Sequence, residues 1–197
     1  RVQAFGQRAN RRQFLRGALA ALGAAGLGLA LGPGRRRQAV AQVGGASCAS
    51  ELRHLSWVWQ FSSDGAPEAV AATLAAHNLG LILKTHDGTE WMSTYDSSPY
   101  AVSGPGQVEV LARYFEGYGV QFHAWAVVKG LDPEREAEMA ASVLAAGARS
   151  LILDLEPWRG FWMGRPQDAL TLGQELRRRQ PKAVVKTALE IRPWAAA

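Results

Sequence analysis

Five short β-prone runs alternate with four helical stretches, and no other feature restricts the fold of this chain so tightly. The runs cover residues 54–61, 80–86, 120–128, 148–155 and 182–190, and are rich in Leu, Ile, Val and Trp. Between them lie helical stretches at 66–78 and 106–118. A third runs from Asp132-Pro133 to Gly147, and a fourth from Arg165-Pro166 to Gln180-Pro181. Val108, Leu111, Ala112 and Phe115 recur at the spacing of one helix face. Asp132 supplies a cap and Gly147 a stop. Strand-helix-strand alternation implies right-handed crossovers and a parallel sheet.

Two α/β architectures fit this pattern. One is a TIM-type (β/α) barrel, apparently truncated after the fifth strand. The other is a five-stranded doubly wound parallel sheet. The barrel is favoured because polar or aromatic residues stand at the carboxyl end of every strand, rather than at one switch point. The loop after the second strand is long and aromatic, with Trp91, Tyr95 and Tyr100. No glycine-rich phosphate loop follows the first strand, which argues against a nucleotide-binding sheet.

Charge separates the N-terminus from the rest. The chain has 22 basic and 17 acidic residues, a net charge of +5. Residues 1–41 hold eight of the arginines and no acid, so the remainder carries 22 − 8 = 14 basic against 17 acidic residues, a net −3. The basic character is local and gives no reason to expect a nucleic-acid partner. Residues 10–16, Asn-Arg-Arg-Gln-Phe-Leu-Arg, resemble the twin-arginine translocation motif. A glycine-rich apolar run and Ala39-Val40-Ala41 follow. The expected organisation is a signal peptide at 1–41, a linker at 42–53 and a partial βα domain at 54–197. The twin-arginine translocase is then a partner, and the mature protein is extracytoplasmic or secreted. The apolar run is shorter than the roughly 20 residues a bilayer span needs, so no stable membrane span is expected after cleavage. Cys48, the single cysteine, allows no internal disulfide. Its surroundings match a lipobox only faintly, and a plain residue in the linker is preferred. The start at Arg1 hints at an incomplete gene product.

The acids of residues 150–158, Ser-Leu-Ile-Leu-Asp-Leu-Glu-Pro-Trp, attract the chemistry. On a strand, Asp154 and Glu156 share one face with about 7 Å between Cα atoms. Both fall at the carboxyl end, where parallel α/β folds place reacting groups. Such a pair suits general acid catalysis, one carboxyl donating a proton and its neighbour orienting it or stabilising positive charge. Walls for a ligand are sought at the other strand ends. Lys84 and His86 are expected on one face of the second strand, with Asp87 opposite or in the turn. His123 and Trp125 are expected on the third, with Trp91 and Trp158 in the following loops. Indoles would give stacking platforms for the apolar faces of sugars. No metal or other cofactor is expected, because the four histidines show no ligand spacing, and no Gly-x-Ser-x-Gly elbow is present.

Residues 151–156, Leu-Ile-Leu-Asp-Leu-Glu, resemble the fourth-strand signature of glycoside hydrolase barrels, in particular family 18 chitinases and family 25 lysozymes. Residues 81–88 with Trp91 are similar to second-strand blocks of glycosidase-like barrels. The resemblance implies Glu156 as acid and Asp154 as its assistant. It departs at Ile152, where the chitinase signature has a further acid, and at Ser56, Trp57 and Trp59, where the lysozymes carry an acid on the first strand. The expected function is an exported glycoside hydrolase acting on a polysaccharide. The alternative is a non-catalytic carbohydrate-binding barrel or an inactive fragment.

Overall fold

The computed structural model describes residues 54–189. The signal peptide and linker expected at 1–53, including Cys48, and the tail from Glu190 lie outside the described residues. The elements are β1 (Leu55–Val58), α1 (Phe61–Asp64), α2 (Pro67–Ala76), β2 (Gly80–Asp87), β3 (Glu90–Trp91), a 3-10 turn (Met92–Thr94), α3 (Pro105–Gly117), β4 (Phe122–Val127), α4 (Pro133–Ala145), β5 (Ser150–Leu155), α5 (Pro166–Arg179) and β6 (Val184–Leu189).

All four longer helices open on a proline. At that position the missing N–H has no intrahelical partner to lose and the fixed φ already suits the helix. Asp132 caps α4 by accepting the N–H of Arg135 at 3.1 Å. In α5 the carboxylate of Asp168 reaches back to the N–H of Arg165 at 2.7 Å.

The fold is α/β with a parallel sheet. Strand order is β1-β2-β4-β5-β6, so each parallel strand lies beside the next one in the chain, and β3 pairs antiparallel with the end of β2. The two sheet faces are unlike. Leu81, Leu83, Phe122, Ala124, Leu151 and Leu153 form one core with residues of α2, α3, α4 and α5. A smaller cluster, Ile82, Trp125, Val127 and Ile152, receives no helix residue among the described residues. Its partly buried neighbours are Leu55, Trp59, Phe161 and Ala188. No helix among the described residues is long and apolar enough to cross a membrane.

Two local features differ from the sequence expectation. The first strand stops at Val58 instead of running to residue 61. Phe61 instead opens α1, because the carboxylate of Asp96 takes the N–H groups of Phe61 and Ser62 at 2.9 and 3.1 Å. In β2 the register against β4 skips one residue: Lys84 faces Trp125, but His86 faces Ala126 and Asp87 faces Val127. The irregularity falls at Thr85. A bulge of one residue inverts which face the following side chains take. Asp87, not His86, therefore shares the face of Lys84.

Candidate active site

Lys84 is the centre of the helix-free face. Its side chain is only 2% exposed. The ammonium lies 4.1 Å from the ring centre of Trp59, 5.2 Å from that of Trp125 and 5.3 Å from that of Tyr95. Each distance is within cation–π reach. One carboxylate oxygen of Asp87 is 3.1 Å from the same nitrogen, and the other is 2.9 Å from the ammonium of Lys129. Burial holds the Lys84 pKa below its usual value, against the opposing pull of Asp87. Asp154 also acts on this charge.

Loops from three strands hold this group in place. Trp59 and Gln60 donate their N–H groups to Asp64 at 2.6 and 3.1 Å, and the Gln60 amide donates to the carbonyl of Tyr95 at 3.2 Å. These bonds, with those to Asp96, stitch the loop after β1 to the loop after β2. Burial, and then the charges of Asp87 and Glu90, push the Tyr95 phenol upward. Its hydroxyl is buried with no hydrogen-bond partner among the described residues. Lys129 is fixed from behind by Glu136, a buried carboxylate that accepts the N–H groups of Lys129 and Leu131 at 2.8 and 3.2 Å.

The acids of the fifth run sit beside this group. Asp154, 8% exposed, is in register with Val127, which is in register with Asp87. Asp87 and Asp154 thus lie in one row, two strands apart, about 10 Å at normal strand spacing. Glu156 follows the last residue of β5 and is half-buried. Its backbone carbonyl accepts the N–H of Trp162 at 3.1 Å, and its carboxylate has no bonding partner among the described residues. The loop after β5 is clipped to the loop after β4. Met163 and Gly164 both donate to the carbonyl of Lys129, at 2.8 and 3.1 Å. The Trp162 ring lies against Gly130 and Gly164 so closely that a Cβ on either glycine would come within 3 Å of it.

The structure thus brings together Lys84, Asp87 and Asp154, with Glu156 and Trp158 leading away from the same strand end. It separates three other residues from them. His86 is wholly buried, 5.6 Å from the ring of Trp91, and its strand partner Ala126 belongs to the helix-side core. Trp91 packs against that same core. His123 is the second residue of β4, near the amino end of the sheet, where its Nδ1 lies 2.7 Å from the hydroxyl of Ser150. Trp125 is no sugar platform: it is 2% exposed, donates its indole N–H to Val58 at 3.2 Å and is covered edgewise by Trp57 and Trp59. It is a wall of the lysine cage instead.

Trp59, Tyr95 and Lys129 join the site without having been singled out from the sequence. Lys129 had a legible signal, a lone cation directly after an apolar strand. Trp59 and Tyr95 stood in aromatic stretches, but nothing in the sequence showed that they meet, since 35 residues of chain separate the backbones that Asp96 and Gln60 tie together.

Among the described residues no group of three or more His, Cys, Asp or Glu side chains is placed to hold a metal ion. Two surface grooves, of about 500 and about 270 Å³, run along α5 and touch none of the charged groups above. No family model, no curated protein and no solved structure matches the chain.

Proposed function

We propose that the chain is an exported, glycoside hydrolase-like protein that cleaves glycosidic bonds of a polysaccharide, with Glu156 as general acid and Asp154 as its assistant. The observation that carries this reading is the pairing of Glu156, half-buried and with no partner for its carboxylate among the described residues, with the buried Asp154 at one strand end, beside the Lys84–Asp87–Lys129 ion pairs. In this mechanism Glu156 gives its proton to the glycosidic oxygen as the bond to the anomeric carbon breaks. The charge of Asp154 stabilises the oxocarbenium character that develops on the ring. A (β/α) barrel is the proposed architecture. It is supported by the strand order, which follows the chain without reversal, and by the described helices, which pack on one sheet face.

The test is hydrolysis of a panel of glycans by the wild type and by Glu156→Gln. Loss of about 10²–10⁴-fold in rate is expected for removal of a general acid. Equal rates would remove Glu156 from that role. A second reading, a barrel that binds glycans without cleaving them, draws on Trp57, which is 46% exposed beside the cage. It predicts glycan binding that Trp57→Ala weakens, with no turnover by the wild type.

Export by the twin-arginine route belongs to the same proposal. It rests on Arg11-Arg12 with Phe14-Leu15 ahead of a weakly apolar run. Replacing both arginines by lysine should retain the protein in the cytoplasm. Unchanged export would make the motif fortuitous.

A further inference from the structure

We propose that Lys84 is the amine of an imine-forming site for a small aldehyde or ketone. This site is independent of any action of Glu156 on a glycosidic bond.

The four lysines of the chain are at 84, 129, 182 and 186. Lys182 and Lys186 are exposed and Lys129 is partly so, whereas Lys84 is enclosed by Trp59, Trp125, Tyr95 and Asp87. A lysine becomes nucleophilic when its surroundings favour the free amine and a base stands ready for its proton. Desolvation favours the free amine here, and Asp87 at 3.1 Å is the base. The aromatic cage serves the product of the reaction. A protonated imine carries its positive charge on the same nitrogen, so rings that hold an ammonium hold the iminium as well.

The step balances with these groups alone. The Lys84 ammonium first passes a proton to Asp87. The freed lone pair forms a C–N bond to the carbonyl carbon, and the proton then lost from nitrogen passes to the carbonyl oxygen to give a carbinolamine. Asp87 returns its proton to that hydroxyl, which leaves as water as the nitrogen lone pair forms the C=N bond of the iminium. Tyr95, whose buried hydroxyl has no hydrogen-bond partner among the described residues, lines the cage with its ring centre 5.3 Å from the Lys84 nitrogen. The enclosure of Lys84 restricts the carbonyl compound to one of few heavy atoms.

The experiment uses the full chain and glycolaldehyde as the probe. Protein is incubated near pH 7 with the aldehyde and cyanoborohydride, which reduces iminium ions to stable secondary amines, and the adducts are mapped by peptide mass spectrometry. Lys84 should be labelled roughly tenfold or more faster than Lys182 and Lys186, as an activated amine requires. The preference should vanish when the wild-type protein is labelled in urea, where all four lysines are alike. This control needs no folded variant. Lys84→Arg should lose the fast adduct and keep the slow ones. Labelling of Lys84 no faster than that of the exposed lysines in the native protein would overturn the proposal. The readout involves no glycan, so it stands or falls apart from the glycosidase reading.

Discussion

The carboxylate of Asp96 accepts the backbone N–H of Phe61 at 2.9 Å across 35 residues of chain. It also accepts from Ser62 at 3.1 Å and Ser98 at 3.0 Å, and is 5% exposed. Removing it leaves the amide of Phe61 buried without a partner. Asp96→Ala should therefore lower stability by about 1–3 kcal/mol. Asp96→Asn keeps one acceptor and should cost less. Denaturant unfolding checks the order, and tryptophan emission should report the loosening of Trp59 over Lys84.

Glu136 does the same work for the loop after β4. Its two oxygens accept from Lys129 and Leu131, and the residue is 1% exposed. Glu136→Ala should cost about 1.5–3 kcal/mol, the range for hydrogen bonds to a charged group. Hydrogen exchange should show the amides of Lys129 and Leu131 losing protection before the rest of the sheet.

Gly130 has φ +67°, and a Cβ there would lie 2.6 Å from the Trp162 ring. Gly130→Ala should cost roughly 1–3 kcal/mol through backbone strain and collision together. In a Trp162→Ala background the collision is gone and only the backbone cost remains. The double-mutant cycle should accordingly show coupling of about 0.5–3 kcal/mol. Additive effects would mean that Trp162 moves aside without cost.

His86 makes stability depend on pH. Burial, with Asp87 opposing and Lys84 assisting, lowers its pKa to about 4 from the ordinary 6.5. Between these values the unfolded chain binds a proton that the native protein excludes, so stability rises with pH across this window. Going down from pH 6.5 to pH 4 should cost about 3 kcal/mol from this group. Thr85 selects the tautomer of the neutral ring. Its hydroxyl donates to Trp125 at 3.2 Å, leaving its oxygen to accept from Nδ1 of His86 at 2.8 Å. His86→Gln should flatten the slope of unfolding free energy against pH in this window by about one proton.

The sheet was legible in the sequence because its signal is local. Apolar periodicity and prolines at helix starts placed every parallel strand and each of the longer helices within a few residues of its observed position. Asp154 beside a strand end was legible for the same reason. The face taken by His86 was not. Counting by twos from Lys84 puts His86 inward, but the irregularity at Thr85 moves Asp87 there instead. A bulge changes parity without changing composition, so no residue type announces it. The role of Trp125 was misjudged differently. Its spacing gave the right face, but only Trp57, Trp59 and Lys84 arriving from other strands decide that the ring is covered rather than open.

The strand order β1-β2-β4-β5-β6 also bears on how the chain acquires its structure during synthesis. Each described parallel strand after β1 finds the edge it joins already formed by the unit before it, and among the described strands none inserts between two existing neighbours. Loop closure between successive strands spans only one helix and its connections, which keeps the entropic cost of each addition small. Assembly can therefore advance one strand and helix at a time, in the direction of translation.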